Sequence, residues 1–573
     1  MAAGCHDVVP PPTIYTPPPE GQPEIRDCGT GDITIAAAPA ALGSPGGIVV
    51  IGWPDHLTSL TVLYRADGQV AKTTGPLETG TGGTAIVELP DLAPGTTYTI
   101  QAQGMAGPSE GSDRSACVAL TLPARADALT MTVAPNKNNV LSAVAGVSCA
   151  TGIKSVRVRF RADGGQWEET PTRTTPAATG GSAIVPVLGL RPDTTYTLLA
   201  AGEDAAGQSV QSGTSTFKTG TLPPDVLTLE TTGAGTGYTM ISKVGTGTSP
   251  NEREAFVTIV DSAGQPVWYA PVSGEDFRRQ PDGTYTVSAG DPNPQIETTV
   301  GVAPSIYRQY DVLGNLVHTW RASGFLGTDG HDLRLLPNGD ALLLGLEFRT
   351  VDLSTDGGAA GAHVLGNVVQ RVRPDGTASL TWDAFDSVAL ADMVPAVGRS
   401  APVVDFTHAN ALETMPDGNY LVSLRNVSQV VKIDAVTGGE LWKLGGADSD
   451  FKFVDDPLGG FSMQHGLVAL PDNHLLLLDN GNEHNPPVTR AVEYELDTAE
   501  HTAKLVWSSQ HTPRLFCVGM GFAQRLANGH TLITYSTSSL VQEVDEHGAE
   551  VWTLSDPQPL FGIYRAFRID SLY

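Results

Sequence analysis

At 573 residues the chain is too long for a single hydrophobic core, and its composition separates a proline-rich front from a repetitive back. A formal net charge of −28 argues against nucleic acid and anionic membrane as partners, because either would need a basic face to release counterions. No run of eighteen apolar residues is present, so no helical span of a bilayer is expected.

Residues 1–23, with VVPPPTIYTPPPEGQPE, cannot bury enough apolar area to fold and read as a tether. Two modules follow, over 24–123 and 124–220, with alternating apolar runs that predict antiparallel strands. The first holds IVVIGW to Trp53 and LAPGTTYTIQA around Tyr98, and the second holds LRPDTTYTLLA around Tyr196. A leucine six residues before a tyrosine, across a proline and a Thr-Thr pair, resembles the tyrosine corner of fibronectin type III sandwiches. The five cysteines show no metal-ligand spacing. Cys28 and Cys117 bracket the first module and are candidates to staple its ends, whereas Cys149 and Cys517 have no evident partner. Ala3-Gly4-Cys5 ahead of the tether resembles the cleavage end of a bacterial lipoprotein signal. That resemblance implies an exported chain, periplasmic, secreted or held at the cell surface by a lipid anchor on Cys5.

TGTLPPD, ending at Asp225, reads as the hinge into the rest of the chain, residues 225–573. Here two phrases interleave. One is a strand, an acidic turn and a strand ending in tryptophan, at Trp268, Trp320, Trp382, Trp442, Trp507 and Trp552. The other is an apolar run, a turn of Pro, Asp, Asn and Gly, and a second apolar run, as in LRLLPNGDALLLG and LETMPDGNYLVSL. Together they make four strands per unit of about 50 to 60 residues, which predicts a β-propeller, and six tryptophan phrases predict six blades. The first unit lacks its leading strand, so Tyr564 to Asp570 is expected to supply it and close the ring. The fold class expected overall is all-β, a six-bladed propeller behind two sandwiches.

Three histidines, His331, His408 and His465, recur just ahead of the second phrase's turn. A lone strand histidine is usually a satisfied core or surface residue, but three at one repeat position read as a reaction centre. A hairpin returns its second strand to the end where the first began. Counting from the turns therefore puts Arg425 beside His408, Asp479 and Asn480 beside His465, and Glu347 beside His331. Asn410 shares a strand face with His408. Imidazole can act as nucleophile, base and acid near neutral pH, and arginine offers a planar fork to a tetrahedral oxyanion. Asp479 or Glu347 would fix an imidazole tautomer. A three-histidine zinc site is the competing chemistry, and Arg425 counts against it because a cation repels a metal.

GHDLRLLPNGD, DFTHANALETMPDGNYLVSLRN, MQHGLVALPDN with LLDNGN, and the terminal YRAFRI resemble the bacterial arylsulfate sulfotransferases over roughly residues 225–573. The resemblance implies a propeller that moves a sulfuryl group from an aryl sulfate donor to a phenolic acceptor through a sulfated histidine, with no nucleotide, metal or other cofactor. His465 would then be the nucleophile, and His331, His408, Asn410 and Arg425 would hold the sulfuryl oxygens or carry the phenol proton. The Gly519-Met520-Gly521 segment offers no polar side chain from the sixth unit. Hydrolysis of the aryl sulfate at the same site and a non-catalytic adhesion platform are the alternatives. Phe348, Phe406 and Phe516 are the candidates for an acceptor's ring platform.

Overall fold

The computed structural model describes residues 24–573 apart from 26–27, 29–30, 40–45, 68, 79–82, 91, 93–95, 107–111, 123–127, 177–178, 205–208, 225, 227–228, 244–255, 293–303, 325–326 and 558–561. The expected tether, residues 1–23, and the anchor at Cys5 lie outside the described residues. Among the described residues the protein is all-β, and the single α-helix, Ala384–Ser387, is one turn long. Two compact units are present: residues 1–137, 144–185 and 196–217, and residues 138–143, 186–195 and 218–573.

In the first unit, Thr34–Pro39, Gly46–Trp53 and Gly83–Pro90 form one antiparallel sheet, and Leu57–Ala66 pairs with Thr97–Ala106 in another. Alternation brings Val49, Ile51 and Trp53 of one sheet against Leu60, Val62, Ile100 and Ala102 of the other in a shared core. Cys28 and Cys117, 89 residues apart, form a disulfide, while Cys149 and Cys517 are free and buried. The second module repeats the plan, with Ile153–Ala162 paired to Thr195–Asp204.

Four-stranded antiparallel groups recur through the second unit. Ala409–Thr414, Tyr420–Leu424, Gln429–Ile433 and Glu440–Gly445 pair in order, and so do His465–Leu470, His474–Asp479, Arg490–Asp497 and Thr502–Ser509. As the sequence leads one to expect, Ile563–Ile569 pairs with Tyr238–Lys243, which continues to Val257–Asp261 and Pro266–Ala270. The repeated tryptophan and acidic turn have a shared physical cause. Asp261, Asp311 and Asp545 each accept two backbone N–H groups of their own turn at 2.8–2.9 Å. The turns so shaped offer carbonyls to the neighbouring group's tryptophan: Trp268 Nε1 donates to Val312 O at 2.9 Å, Trp507 Nε1 to Glu546 O at 3.1 Å, and Trp552 Nε1 to Ser262 O at 2.9 Å. Each of these three tryptophans thus spends its one polar atom on another group's turn, whereas Trp320 Nε1 donates to Gln309 Oε1 at 2.8 Å within its own group.

The leading strands neighbour one another in succession: Gly327–Leu335, Ala409–Thr414, His465–Leu470, Phe522–Arg525 and Ile563–Ile569. Three of them carry the histidines: His331 within Gly327–Leu335, His408 immediately before Ala409–Thr414, and His465 at the head of His465–Leu470.

Candidate active site

Each histidine stands at a break in strand register. His331 lies between Thr328 and Leu333, where pairing with Ala341–Val351 shifts. His408 adopts φ 47° ahead of a shift between Ala409 and Ala411, and His465 opens a shift that ends at Leu467. A bulge turns a side chain out of the alternation, and three of them at equivalent strand starts turn three imidazoles toward one another. Ring centroids are 4.8 Å apart for His331 and His408, and 6.4 Å apart for His408 and His465. Gly466, with φ 62°, has no room for a side chain: a Cβ there would lie 2.5 Å from Phe522 Cδ2.

His465 is held by an amide. Its Nδ1 bonds Asn480 Oδ1 at 2.7 Å, while Asn480 Nδ2 donates to Cys517 O at 2.9 Å and Met520 O at 3.1 Å. Two carbonyl acceptors on the NH2 fix which way the amide points, so Oδ1 must accept and His465 Nδ1 carries the proton. Nε2 keeps the lone pair. Asp479, expected as the tautomer-fixing carboxylate, accepts instead from Ser462 N at 2.9 Å, His484 Nε2 at 2.8 Å and Arg490 Nε at 2.8 Å.

Glu347 is likewise turned elsewhere, bonding Arg349 Nε at 3.0 Å. The bulge explains the discrepancy. Leu346 pairs with Gly327, so the ladder near Glu347 has already passed the residues that loop out around His331. The carboxylate that serves His331 is Asp329, which accepts from its Nδ1 and, at 3.0 Å, from its backbone N–H. His408 bonds Asp405 through Nδ1 at 2.5 Å. Both carboxylates are legible only as spacing, Asp-x-His and Asp-x-x-His, which the hairpin count passes over. Asn367 links Asp329 to the residues flanking His408, donating to Asp329 Oδ2 at 2.7 Å and accepting from Thr407 Oγ1 at 2.9 Å and Ala409 N at 2.8 Å.

Arg425 stands where expected, its backbone N–H donating to His408 O at 3.2 Å across the hairpin. Its guanidinium donates to Asn426 Oδ1 at 2.7 Å and Val518 O at 3.0 Å. Asn410 is fully buried and donates from Nδ2 to Gln464 O at 2.7 Å, bracing the residue before His465. Gln464 in turn donates to Ser423 Oγ, Leu424 O and Gln429 O at 3.0–3.3 Å, tying His465 to the strand that delivers Arg425.

The environments drive the histidines apart. Burial, then Arg425 and His408, push His465 well below the ordinary imidazole value. Burial would lower His331 too, but the Asp329 carboxylate overcomes it and raises His331 to about 9. At neutral pH the cluster therefore holds a neutral imidazole with a free Nε2 at His465 and, beyond His408, an imidazolium at His331, the division of labour expected of a nucleophile and an acid.

Among solved structures the chain is similar to a streptogramin B lyase, at 9% identity over 58% of this chain and 87% of that one, TM-score 0.29. It is similar also to a catalytically inactive virginiamycin B lyase from Staphylococcus aureus with quinupristin, at 9% identity over 64% and 93%, TM-score 0.25. Chicken CNTN1 FN1–FN3 domains match at 14% identity over 32% and 67%, TM-score 0.13. No curated protein matches the chain. Residues 225–556 match the family described as Arylsulfotransferase (ASST). That stretch is more than half of the 573 residues and contains His331, His408, Asn410, Arg425 and His465, and the chain belongs to the arylsulfotransferase (ASST) family.

Proposed function

We propose that residues 225–573 are a six-bladed propeller whose mouth transfers a sulfuryl group from an aryl sulfate to a phenol in two displacements through a sulfohistidine at His465. The observation that carries this reading is the fixed Nδ1–H tautomer of a neutral His465 in one cluster with the Asp329-bound His331, the two joined through His408.

In the first displacement, His465 Nε2 attacks sulfur, the N–S bond forms and the S–O(aryl) bond breaks. The aryl oxygen leaves with the electron pair and takes a proton from the His331 imidazolium. His331, raised to about 9, is close to an ordinary phenol at about 10, so proton transfer is nearly balanced. The sulfated ring is left with positive charge and its Nδ1–H still on Asn480, which makes it a good leaving group. In the second displacement the acceptor phenol gives its proton back to His331, its oxygen attacks sulfur, and the N–S bond breaks. Arg425 faces the same space and complements the sulfuryl oxygens.

The front modules, 24–123 and 124–220, are proposed as fibronectin type III-like sandwiches behind a tether over 1–23, in an exported protein. Support comes from the two-sheet core of the first and from its disulfide, a bond of oxidising compartments.

Transfer is tested by incubating the protein with a chromogenic aryl sulfate, with and without phenol. The expected result is release of the chromophore that rises with phenol, and one sulfuryl adduct by intact mass that is absent in His465→Ala. Release that neither requires His465 nor responds to phenol overturns the reading, and release with water as the only acceptor would make the protein a hydrolase.

A further inference from the structure

The segment leading into Phe522–Arg525 runs across the mouth and is held by its backbone. Thr489 N donates to Leu515 O at 3.1 Å, and Cys517 N donates to Thr489 Oγ1 at 2.7 Å. Cys517 O accepts from Asn480, Val518 O accepts from Arg425 and, at 3.0 Å, from Asn482, and Ser536 Oγ donates to Gly519 O at 2.6 Å. Gly521 N donates to Tyr564 O at 3.0 Å. A segment fixed at so many consecutive backbone atoms is preorganised.

Its side chains divide sharply. Cys517 is fully buried, whereas Phe516 and Val518 are 43% and 54% exposed, an unusual expense of apolar surface beside a charged site. Of the three ring-platform candidates Phe516 alone has this exposure, since Phe406 is fully buried against Phe385 and Phe348 packs on Leu346 and Leu365. Gly519 is different again. A Cβ built on it meets His465 Cε1 at 3.6 Å and Arg425 Nη2 and Nε at 3.8 and 3.9 Å. Those are ordinary contact distances, and its φ is not left-handed, so neither packing nor backbone requires glycine there. The bare position instead leaves empty the space between the imidazole and the guanidinium.

We propose that Phe516–Gly519 is the specificity element of the site: Gly519 keeps open the gap that the sulfuryl group enters, and Phe516 and Val518 form the apolar wall that receives the aryl ring. The proposal rests on the sulfuryl-transfer reading. It makes Gly519 a positioning residue by what it lacks, and it makes donor size a property of two exposed side chains.

The test compares the full chain with Gly519→Ala and Phe516→Ala, using a one-ring and a fused two-ring aryl sulfate whose phenols have similar pKa, with thermal melting alongside. Gly519→Ala is expected to melt with the parent and to form the sulfuryl adduct roughly 10²-fold more slowly on both donors, the scale of an ångström-level misplacement. Phe516→Ala is expected to raise KM roughly tenfold more for the two-ring donor than for the one-ring donor. Parent-like adduct formation in Gly519→Ala overturns the gap, and an unchanged donor preference in Phe516→Ala overturns the wall. A parent protein that forms no adduct overturns the transfer reading itself, a result distinct from both.

Discussion

Two imidazoles of one residue type are held in different protonation states here because of what stands behind their Nδ1 atoms. Asn480 can only accept without charge, so burial and Arg425 keep His465 neutral, whereas the Asp329 carboxylate keeps His331 protonated. The pH dependence follows with a definite sign. In the proposed transfer His465 reacts unprotonated and its value is lowered, so the acid limb of kcat/KM is expected below the ordinary imidazole range near 6.5. In the same reading His331 acts protonated and its value is raised, so activity is expected to hold through neutrality and to fall as pH passes about 9. Asp329→Asn removes the charge that raises His331, and the alkaline limb is expected to move down by more than one pH unit while the acid limb stays. A pH–rate profile of the variant on one aryl sulfate checks this, and an unmoved alkaline limb assigns the acid to another group.

At the scale of the strand, the bulge decides both what the sequence tells and what it conceals. Period, turn composition and the recurrence of histidine are local, so the four-strand phrases, the closing strand and the meeting of His331, His408, His465 and Arg425 can be read by counting along hairpins. Counting assumes a regular ladder, and each histidine sits where the ladder is broken. Counting therefore pairs Glu347 and Asp479 with imidazoles to which they are not bonded, while Asp329 and Asp405, two and three residues ahead of their histidines, do the bonding. Asn480 lies just past the strand His474–Asp479, opposite the start of His465–Leu470, and bonds His465 there. Gly466 shows how tightly the bulge is built. Gly466→Ala must adopt φ near 62° and displace Phe522, so it should cost about 1–3 kcal/mol of stability and lower transfer further by moving His465. Urea titration read against adduct formation separates the two losses.

Across the whole second unit, the chain's last strand does more than complete a sheet. Arg565 of Ile563–Ile569 lies 1% exposed and donates to Asn410 O, the residue whose side chain braces Gln464, and to Asp276 at 3.1 Å, with Asp332 at 3.4 Å. Asp276 and Asp332 come from Glu275-Asp276 ahead of Phe277–Arg279 and from Gly327–Leu335, so one guanidinium joins the C-terminus to three separate parts of the ring. The cluster is balanced unevenly: burial, then Asp332, hold Asp276 up at about 6 against Arg278 and Arg565. A carboxyl whose folded value is raised above its unfolded one contributes stability that is complete below the unfolded value and lost as pH climbs through the folded value. Arg565→Met removes one of the cations opposing that rise and leaves two buried carboxylates short of a partner. The expected loss is about 3–5 kcal/mol, the usual consequence of breaking a buried ion pair from one side. It should be larger at pH 8 than at pH 5, because Asp276 must ionise at the higher pH without that partner. Melting the parent and the variant at both values decides it. A loss independent of pH would mean that Arg565 acts through packing and the Asn410 carbonyl alone, and that the ion cluster is not what couples the last strand to the site.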